Sequence, residues 1–562
     1  MKNKFSWLLV LTLVLSMFLA ACSGGGDTEN EAGDNEGTTD TEESAYADVQ
    51  EITVLESAEI PSMDSVMAED TVGFSMLNNT NEGLYRMDPE QNPIPALADG
   101  EPTVNEDSTV YTFKIRDAKW SNGDAVTAHD FVFAWQRAIA PDTASVYGPY
   151  IMPGVIKNAE SVYKGEMELS ELGVKALSDN ELEVTLEKPV PYFLSLMAFG
   201  TFYPQNQKFV EEKGEAFASN AENLIFNGPY KMTKWDGVAA TEWTLEKNED
   251  YWDAENVTLT KINFNVLKDP QAAANAFEAG EAHVTTKLSM PAVISQYEGD
   301  PRLVKWLEPT EFWLKFNQEN EALKNKNIRA ALALAFDKDA MVNDVIQNGS
   351  LAANYAMPAE FVKHPETGAD FREKHGDFNT YDAEKAAEYW TKGLEELGKT
   401  ELTFTYVASD SELAKTIDAF IKDQLQTTLP GLTIDLQSVP FSVRLDREDS
   451  QDYDILHSGW GPDYLDPMSF SDLWVTGGGH NKMSYSNAEY DRLVKEAQTT
   501  LADKPAERFE ALQDAEKLLF DDFAIAPTYQ RAANILVDER IEGFTYHLVG
   551  AEFSWKWAKL KK

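Results

Sequence analysis

Residues 402–438 limit the fold more than any other stretch of the chain. Residues 402–407 read as a strand, 411–429 as a helix and 432–438 as a second strand. A strand that returns through a helical crossover lies parallel to its predecessor, so this run implies an α/β lobe. At 562 residues the chain is too long for one core, and roughly two to four domains are expected. Apolar residues make up 43% and aromatic ones 11%, ample material for such cores.

Strands are read at 51–55, 242–246 and 261–266, and half-buried alternating strands at 110–115 and 181–186. Thr127 caps a helix over 128–140 that places Phe131, Trp135 and Ala138 on one face. Trp120, in a turn, and Trp135 are assigned to packing. Further helices are expected at 270–278, 329–336, 339–347, 383–397 before Gly398, 488–501 and 505–520. Short strands are expected near 525–529 and 535–537.

Residues 453–456 read as a short apolar strand followed by a loop that extends to residue 473 and holds Asp454, Asp463, Asp466, Trp460 and Tyr464. Gly459, Trp460, Gly461 and Pro462 break helix and sheet periodicity alike, so no regular structure is expected there. A carboxylate beside an aromatic wall suits a cationic head group. An ordinary turn after a core strand is the alternative.

Charge narrows the function. With 95 acidic and 48 basic residues the net charge is −47, which opposes binding to nucleic acid or to anionic lipid through a basic patch. The seven histidines show no zinc-ligand spacing. Gly477, Gly478 and Gly479 lack the helix and lysine of a phosphate cradle. No nucleophile–base set is recognisable, so neither an enzyme nor a cofactor is expected.

Lys2 and Lys4 precede an apolar run from Trp7 to Ala21, 15 residues long and short of the roughly 20 that span a bilayer. Leu19-Ala20-Ala21-Cys22 resembles the bacterial lipobox, and Cys22 is the sole cysteine. The resemblance implies a lipoprotein signal peptide over 1–21 and lipidation of Cys22. Residues 23–51 hold ten acids and no bases. Such a segment cannot offset its ordering entropy, so 22–50 is expected to be a disordered tether. The expected location is the outer face of the cytoplasmic membrane of a Gram-positive cell, held by lipid.

Several long blocks then occur in a familiar order: EGLYRMD at 82–88, YTFKIRDAKWSNGDAVTAHDFVFAWQRAIAP at 111–141, GVKALSDNELEVTLEKPVPYF at 173–193, NGPYKMTKW at 227–235, NEDYWDAENVTLTKI at 248–262 and IRAALALAFDKDAMV at 328–342. With the 454–473 loop they resemble the oligopeptide-binding (OppA-like) proteins of ABC importers, extracellular solute-binding protein family 5. The resemblance implies a periplasmic-binding-protein-like clam shell of cluster C type, two α/β lobes with a third, extra domain. Lobe I takes 51–81, 206–309 and 526–562, the extra domain 82–205 and lobe II 310–525. It implies an oligopeptide ligand, ABC permease partners and a monomer.

By the same resemblance Asp463 takes the peptide's α-ammonium, flanked by Trp460 and Tyr464. A gap-free match places a contact segment at Glu69, Asp70 and Thr71. Tyr147 matches an aromatic lining the site, Phe441 stands where the family has a tryptophan over a side-chain pocket, and Tyr529 matches a tyrosine near the bound backbone. The positions that meet the peptide carboxyl terminus in enteric relatives fall on His457, Ile346 and the region of Glu412, where basic residues are largely missing. Same-family receptors for nickel chelates, haem or oligosaccharides, and a peptide-pheromone sensor, are the alternative functions.

Overall fold

The computed structural model describes residues 45–562. The expected signal peptide, Cys22 and most of the expected tether lie outside the described residues. The chain is already pinned at Tyr46, short of the expected tether end at residue 50. Tyr46 bridges to Lys561, Ala47 N–H donates to Leu560 O at 2.9 Å, and the Gln50 side chain both donates to and accepts from the Leu560 backbone.

Alternation builds the first sheet. Its order is Glu51–Glu56, Lys261–Val266, Glu242–Lys247, Tyr230–Lys234, with the first pair parallel and the others antiparallel. Ile52, Val54, Ile262, Phe264, Trp243, Leu245, Tyr230 and Met232 are all buried. The same apolar core takes in the helix Ala128–Ile139 and the small antiparallel sheet that includes Val110–Lys114 and Glu181–Thr185. Thr127 caps that helix in a capping box with Asp130, and Phe131, Trp135 and Ala138 face inward as expected.

The larger sheet has six strands in the order Leu351–Ala352, Ile525–Leu536, Leu303–Phe316, Ile455–Trp460, Leu402–Ser409, Leu432–Val439. The last two are parallel, Leu402 opposite Leu432 through Ser409 opposite Val439, joined by the helix Glu412–Thr428. One face carries a core with Leu314, Phe316, Phe404 and Tyr406 beneath the helices Lys326–Leu334, Ala383–Leu397 and Glu412–Thr428. The other carries Trp313 and Ile525 beneath Ala488–Gln498 and Pro505–Asp521.

Three elements differ from expectation. The helix read at 339–347 is a short α-helical turn, Lys338–Ala340, that runs into a π-helix, Met341–Ile346. Residues 525–537 form one strand, Ile525–Leu536, rather than two short ones. It pairs antiparallel with the 14-residue strand Leu303–Phe316. The two run from the first core, with Val304, Trp306 and Ile535, into the cores of the larger sheet, with Leu314 and Ala526. Their register shifts between Leu307 and Glu311, across Glu308, Pro309 and Thr310. A bulge there concentrates twist and bending. The strand read at 453–456 runs instead from Ile455 to Trp460, through Gly459. The reason is packing: Gly459 lies opposite Phe312, and a Cβ there would approach the Phe312 ring at 2.7 Å.

Buried charge ties two sequence blocks together. Glu82 and Arg86 are 1% and 3% exposed. Glu82 accepts from Arg86 Nε at 2.9 Å, Tyr251 Oη at 2.6 Å and Trp252 Nε1 at 2.5 Å. Removing the carboxylate leaves a guanidinium buried without its anion. Glu82→Ala is therefore predicted to cost about 3 kcal/mol, read as a lower melting temperature; an unchanged melting curve rejects this account.

Candidate ligand-binding cleft

The three carboxylates of the 454–473 stretch have different employment. Asp454 accepts from Asn320 Nδ2 at 2.7 Å and from Thr405 N–H at 2.8 Å. Asp466 accepts from Arg508 at 2.6 and 2.8 Å and from Met468 N–H at 2.8 Å. Both hold the fold. Asp463 follows Gly461-Pro462, where the sheet pairing of Ile455–Trp460 has ended. Its backbone N–H donates to Ser469 Oγ at 3.2 Å. Its side chain accepts from the Tyr150 hydroxyl at 2.6 Å. Burial pushes the Asp463 carboxyl up to about 6, against the opposing pull of the Tyr150 bond.

Asp463 borders a chamber of about 260 Å³, whose walls also include Glu69, Thr71, Phe74 and Tyr147. Asp70 fixes the 69–71 segment by capping the helix Thr71–Thr80, accepting from Gly73 N–H at 2.9 Å. Phe74 packs edge-on to Tyr147, with ring centroids 5.3 Å apart, and tilted on Phe199 at 4.7 Å. The strand-pair bulge supplies Glu308, Pro309 and Thr310. Lys287 donates to Glu308 at 2.6 Å and pairs with Glu552, while Arg531 also pairs with Glu308.

Thr310, Gly461 and Arg531 are shared with a second chamber of about 520 Å³, where His457 and Trp460 lie. His457 is 7% exposed, and both its ring nitrogens are engaged: Nδ1 with Asp418 at 2.6 Å and Nε2 with Thr528 Oγ1 at 3.1 Å. Asp418 also accepts from Tyr406 Oη at 2.7 Å. His457 thus borders the cleft as a fixed wall. The Trp460 indole packs against His480 at 4.9 Å.

Six of the residues expected at the site come together here: Asp463, Glu69, Thr71 and Tyr147 in the first chamber, His457 and Trp460 in the second. Two do not line either chamber. Tyr464 stacks on Tyr192, centroids 4.0 Å apart and planes 11° apart, with its hydroxyl 3.5 Å from Asp472. Tyr529 lies flat against Phe312 at 4.6 Å and is buried. Both fill space behind the wall. The Phe441 side chain lies outside the described residues.

Sequence reasoning missed Tyr150, Lys287, Glu308, Arg531, His480 and the 546–552 segment, all of which touch Asp463 or line a chamber. Two carried a weak signal. Tyr150 follows Tyr147 at helical spacing, and Arg531 follows Tyr529 at strand spacing. Asp472 was missed as well: burial, then the neighbouring Asp463, pushes it up to about 7.

An acid raised toward 6 binds its proton more tightly folded than unfolded, so its contribution to stability falls as pH rises from 4 through 6. Asp463→Asn keeps the acceptor for Tyr150 without the charge. The ligand-free variant is predicted to gain about 1 kcal/mol at pH 7.5, after allowance for solvent contact, and nothing at pH 4. Thermal melting at the two pH values checks it, and a variant less stable at pH 7.5 overturns the prediction.

Residues 92–482 match the model of the bacterial extracellular solute-binding proteins, family 5 Middle. A dipeptide-binding protein of Lactococcus lactis subsp. cremoris is 33% identical over 519 residues, covering 90% of this chain and 93% of the relative. The oligopeptide-binding protein OppA of Bacillus subtilis is 33% identical over 562 residues, covering 97% of each. The solved structure of Listeria monocytogenes OppA bound to peptide superposes with a TM-score of 0.77 at 42% identity, covering 92% of this chain and 100% of that one. The fold is that of the OppA-type binding proteins, and the chain belongs to the bacterial extracellular solute-binding proteins of family 5, a family of binding proteins rather than enzymes.

Proposed function

We propose that this protein captures oligopeptides in its cleft and delivers them to an ABC transporter permease. The observation that carries the reading is Asp463. It is a half-buried carboxylate in the wall of a chamber lined by aromatic side chains, and its side-chain donor is a neutral hydroxyl rather than a cation. A peptide α-ammonium supplies charge and donors together, and enclosing such a charge demands a paired, hydrogen-bonded partner. Beside it, Glu69 and the extended backbone of Asp70 lead into the helix that opens at Thr71, and in this reading peptide main chain pairs with that segment as a strand adds to an edge. The names of the relatives, a dipeptide-binding protein and OppA, agree with this ligand class.

In this reading residues 51–81, 206–309 and 526–562 move as one lobe, 310–525 as the other, and 82–205 as an extra domain attached to the first. Ligand shifts the balance toward the closed arrangement because it touches both sides. Cys22 carries the lipid, residues beyond it form the tether, and the body works outside the cytoplasmic membrane as a monomer. Trp460 and Tyr147 contact the ligand; Tyr464, Tyr529 and His457 shape the site from behind or beside it.

Titration calorimetry with a free-amino pentapeptide and its N-acetylated form tests the reading. The acetylated peptide is predicted to bind more weakly, and Asp463→Asn to weaken the free-amino peptide by about 3 kcal/mol. Equal affinity for both peptides sinks the role of Asp463. Mass spectrometry of the recovered peptide checks that it leaves uncut, and release of a Cys22→Ser protein into the medium checks the anchor.

A further inference from the structure

Two rings meet where the apolar regions of the protein face each other. Tyr192 follows the strand Glu181–Thr185, in the small sheet that shares the first core. Tyr464 follows Ile455–Trp460 of the larger sheet. The rings stack with centroids 4.0 Å apart and planes 11° apart. Among the described residues, these two alone pack against both the first core and the core beneath Ala488–Gln498 and Pro505–Asp521. The strands Leu303–Phe316 and Ile525–Leu536 join the two regions through a backbone ladder. The ring stack joins them by side chains.

Both rings are presented on rigid turns. Pro189 and Pro191 lie just before Tyr192, and proline fixes φ. The Tyr192 carbonyl accepts from Leu196 N–H at 3.2 Å and from Ser195 Oγ at 2.8 Å. On the other side Pro462 lies just before Tyr464, whose carbonyl accepts from Asp466 N–H at 2.9 Å, and Asp466 is held by Arg508. Groups already ordered lose little freedom when they are brought together, so most of the attraction of the contact is kept. Tyr150 crosses the same boundary to Asp463 and to His480, with ring centroids 5.5 Å apart, but Asp463 and His480 line the chambers. Neither Tyr192 nor Tyr464 lines either chamber. Their contact follows the angle between the two regions and not the contents of the cleft.

We propose that Tyr192 is a positioning residue for ligand capture: by stacking on Tyr464 it holds the two regions in the closed arrangement and sets the strength of binding without touching the ligand. The inference rests on the lobe closure of the proposed function and deepens it. Apparent affinity scales with the fraction of protein in the arrangement that binds, whatever the ligand. A residue in the chamber wall sorts ligands from one another, whereas a contact outside it strengthens or weakens all of them by one factor.

Calorimetry with free-amino pentapeptides, all-alanine and alanine with a central Lys, Glu or Phe, compares the unaltered protein with Tyr192→Ala and Tyr192→Phe. Tyr192→Ala is expected to weaken every peptide that binds by the same factor, about fivefold. Tyr192→Phe keeps the ring and is expected to stay within about twofold of the unaltered protein. Small-angle X-ray scattering without peptide is expected to give Tyr192→Ala a larger radius of gyration than either of the others. Unchanged affinity or unchanged scattering in Tyr192→Ala overturns the proposal. So does a loss that differs from peptide to peptide, which makes Tyr192 a wall contact, or an equal loss in Tyr192→Phe. If no peptide binds the unaltered protein, the peptide reading falls and the scattering comparison alone decides the role of Tyr192. Where circular dichroism shows Tyr192→Ala to be unfolded, Tyr192→Leu, which fills the space without a ring, takes its place under the same expectations.

Discussion

The strands Leu303–Phe316 and Ile525–Leu536 lie side by side over most of their length and pass from one apolar core into the next. Every amide along them needs a partner, so the ladder resists separation and carries the geometry of one region into the other. At Glu308, Pro309 and Thr310 the register slips. Pro309 brings no N–H to the ladder, which suits it to such a break. Any change of angle between the two regions is absorbed most cheaply there. The residues at that point, Glu308, Thr310 and Arg531, are the ones that line the cleft. The position of the site therefore follows from where two strands cannot keep step.

Chemistry in the cleft is decided by what the fold leaves unemployed. Three aspartates lie in the stretch 454–466, yet Asp454 and Asp466 are taken by Asn320, the Thr405 backbone and Arg508. His457 is taken in the same way by Asp418 and Thr528. A buried group with all its partners in place contributes rigidity. Asp463, whose side chain has one neutral donor among the described residues, keeps acceptor sites open, which is what the proposed function uses. Side-chain identity alone does not separate the two kinds; the partners do.

How much of this was legible in the sequence varies with the distance over which it is encoded. The run of residues 402–438 declared itself through local periodicity, and the parallel register of Leu402 with Leu432 follows from it. Gly459 was misleading, because its reason is Phe312, more than a hundred positions earlier, not a turn. The strand Ile525–Leu536 looked broken because Gln530 and Asn534 are polar. They are buried nonetheless, each with an assigned partner: Gln530 accepts from Tyr355 Oη at 3.1 Å, and Asn534 donates to Asn348 O at 2.8 Å. In the cleft, Asp463 was reachable from its loop and its family block. Tyr150 was not, since its contact with Asp463 spans 313 positions. Tyr464 and Tyr529 were expected at the ligand because an aromatic that suits a cleft wall equally suits the packing behind it.

The hydrogen bond from Tyr150 occupies Oδ2 of Asp463 and leaves the rest of the carboxylate open. Two carboxylate oxygens offer about four acceptor sites, so under the proposed function an ammonium joins the phenol rather than replacing it. The phenol supplies a donor without supplying a charge. A neutral donor on a ligand therefore repeats what the site already has, whereas a cation brings the charge that the enclosed carboxylate lacks. The phenol thus acts as a bearing for the carboxylate: it sets the direction in which the oxygens point and leaves the neutralising of their charge to whatever enters.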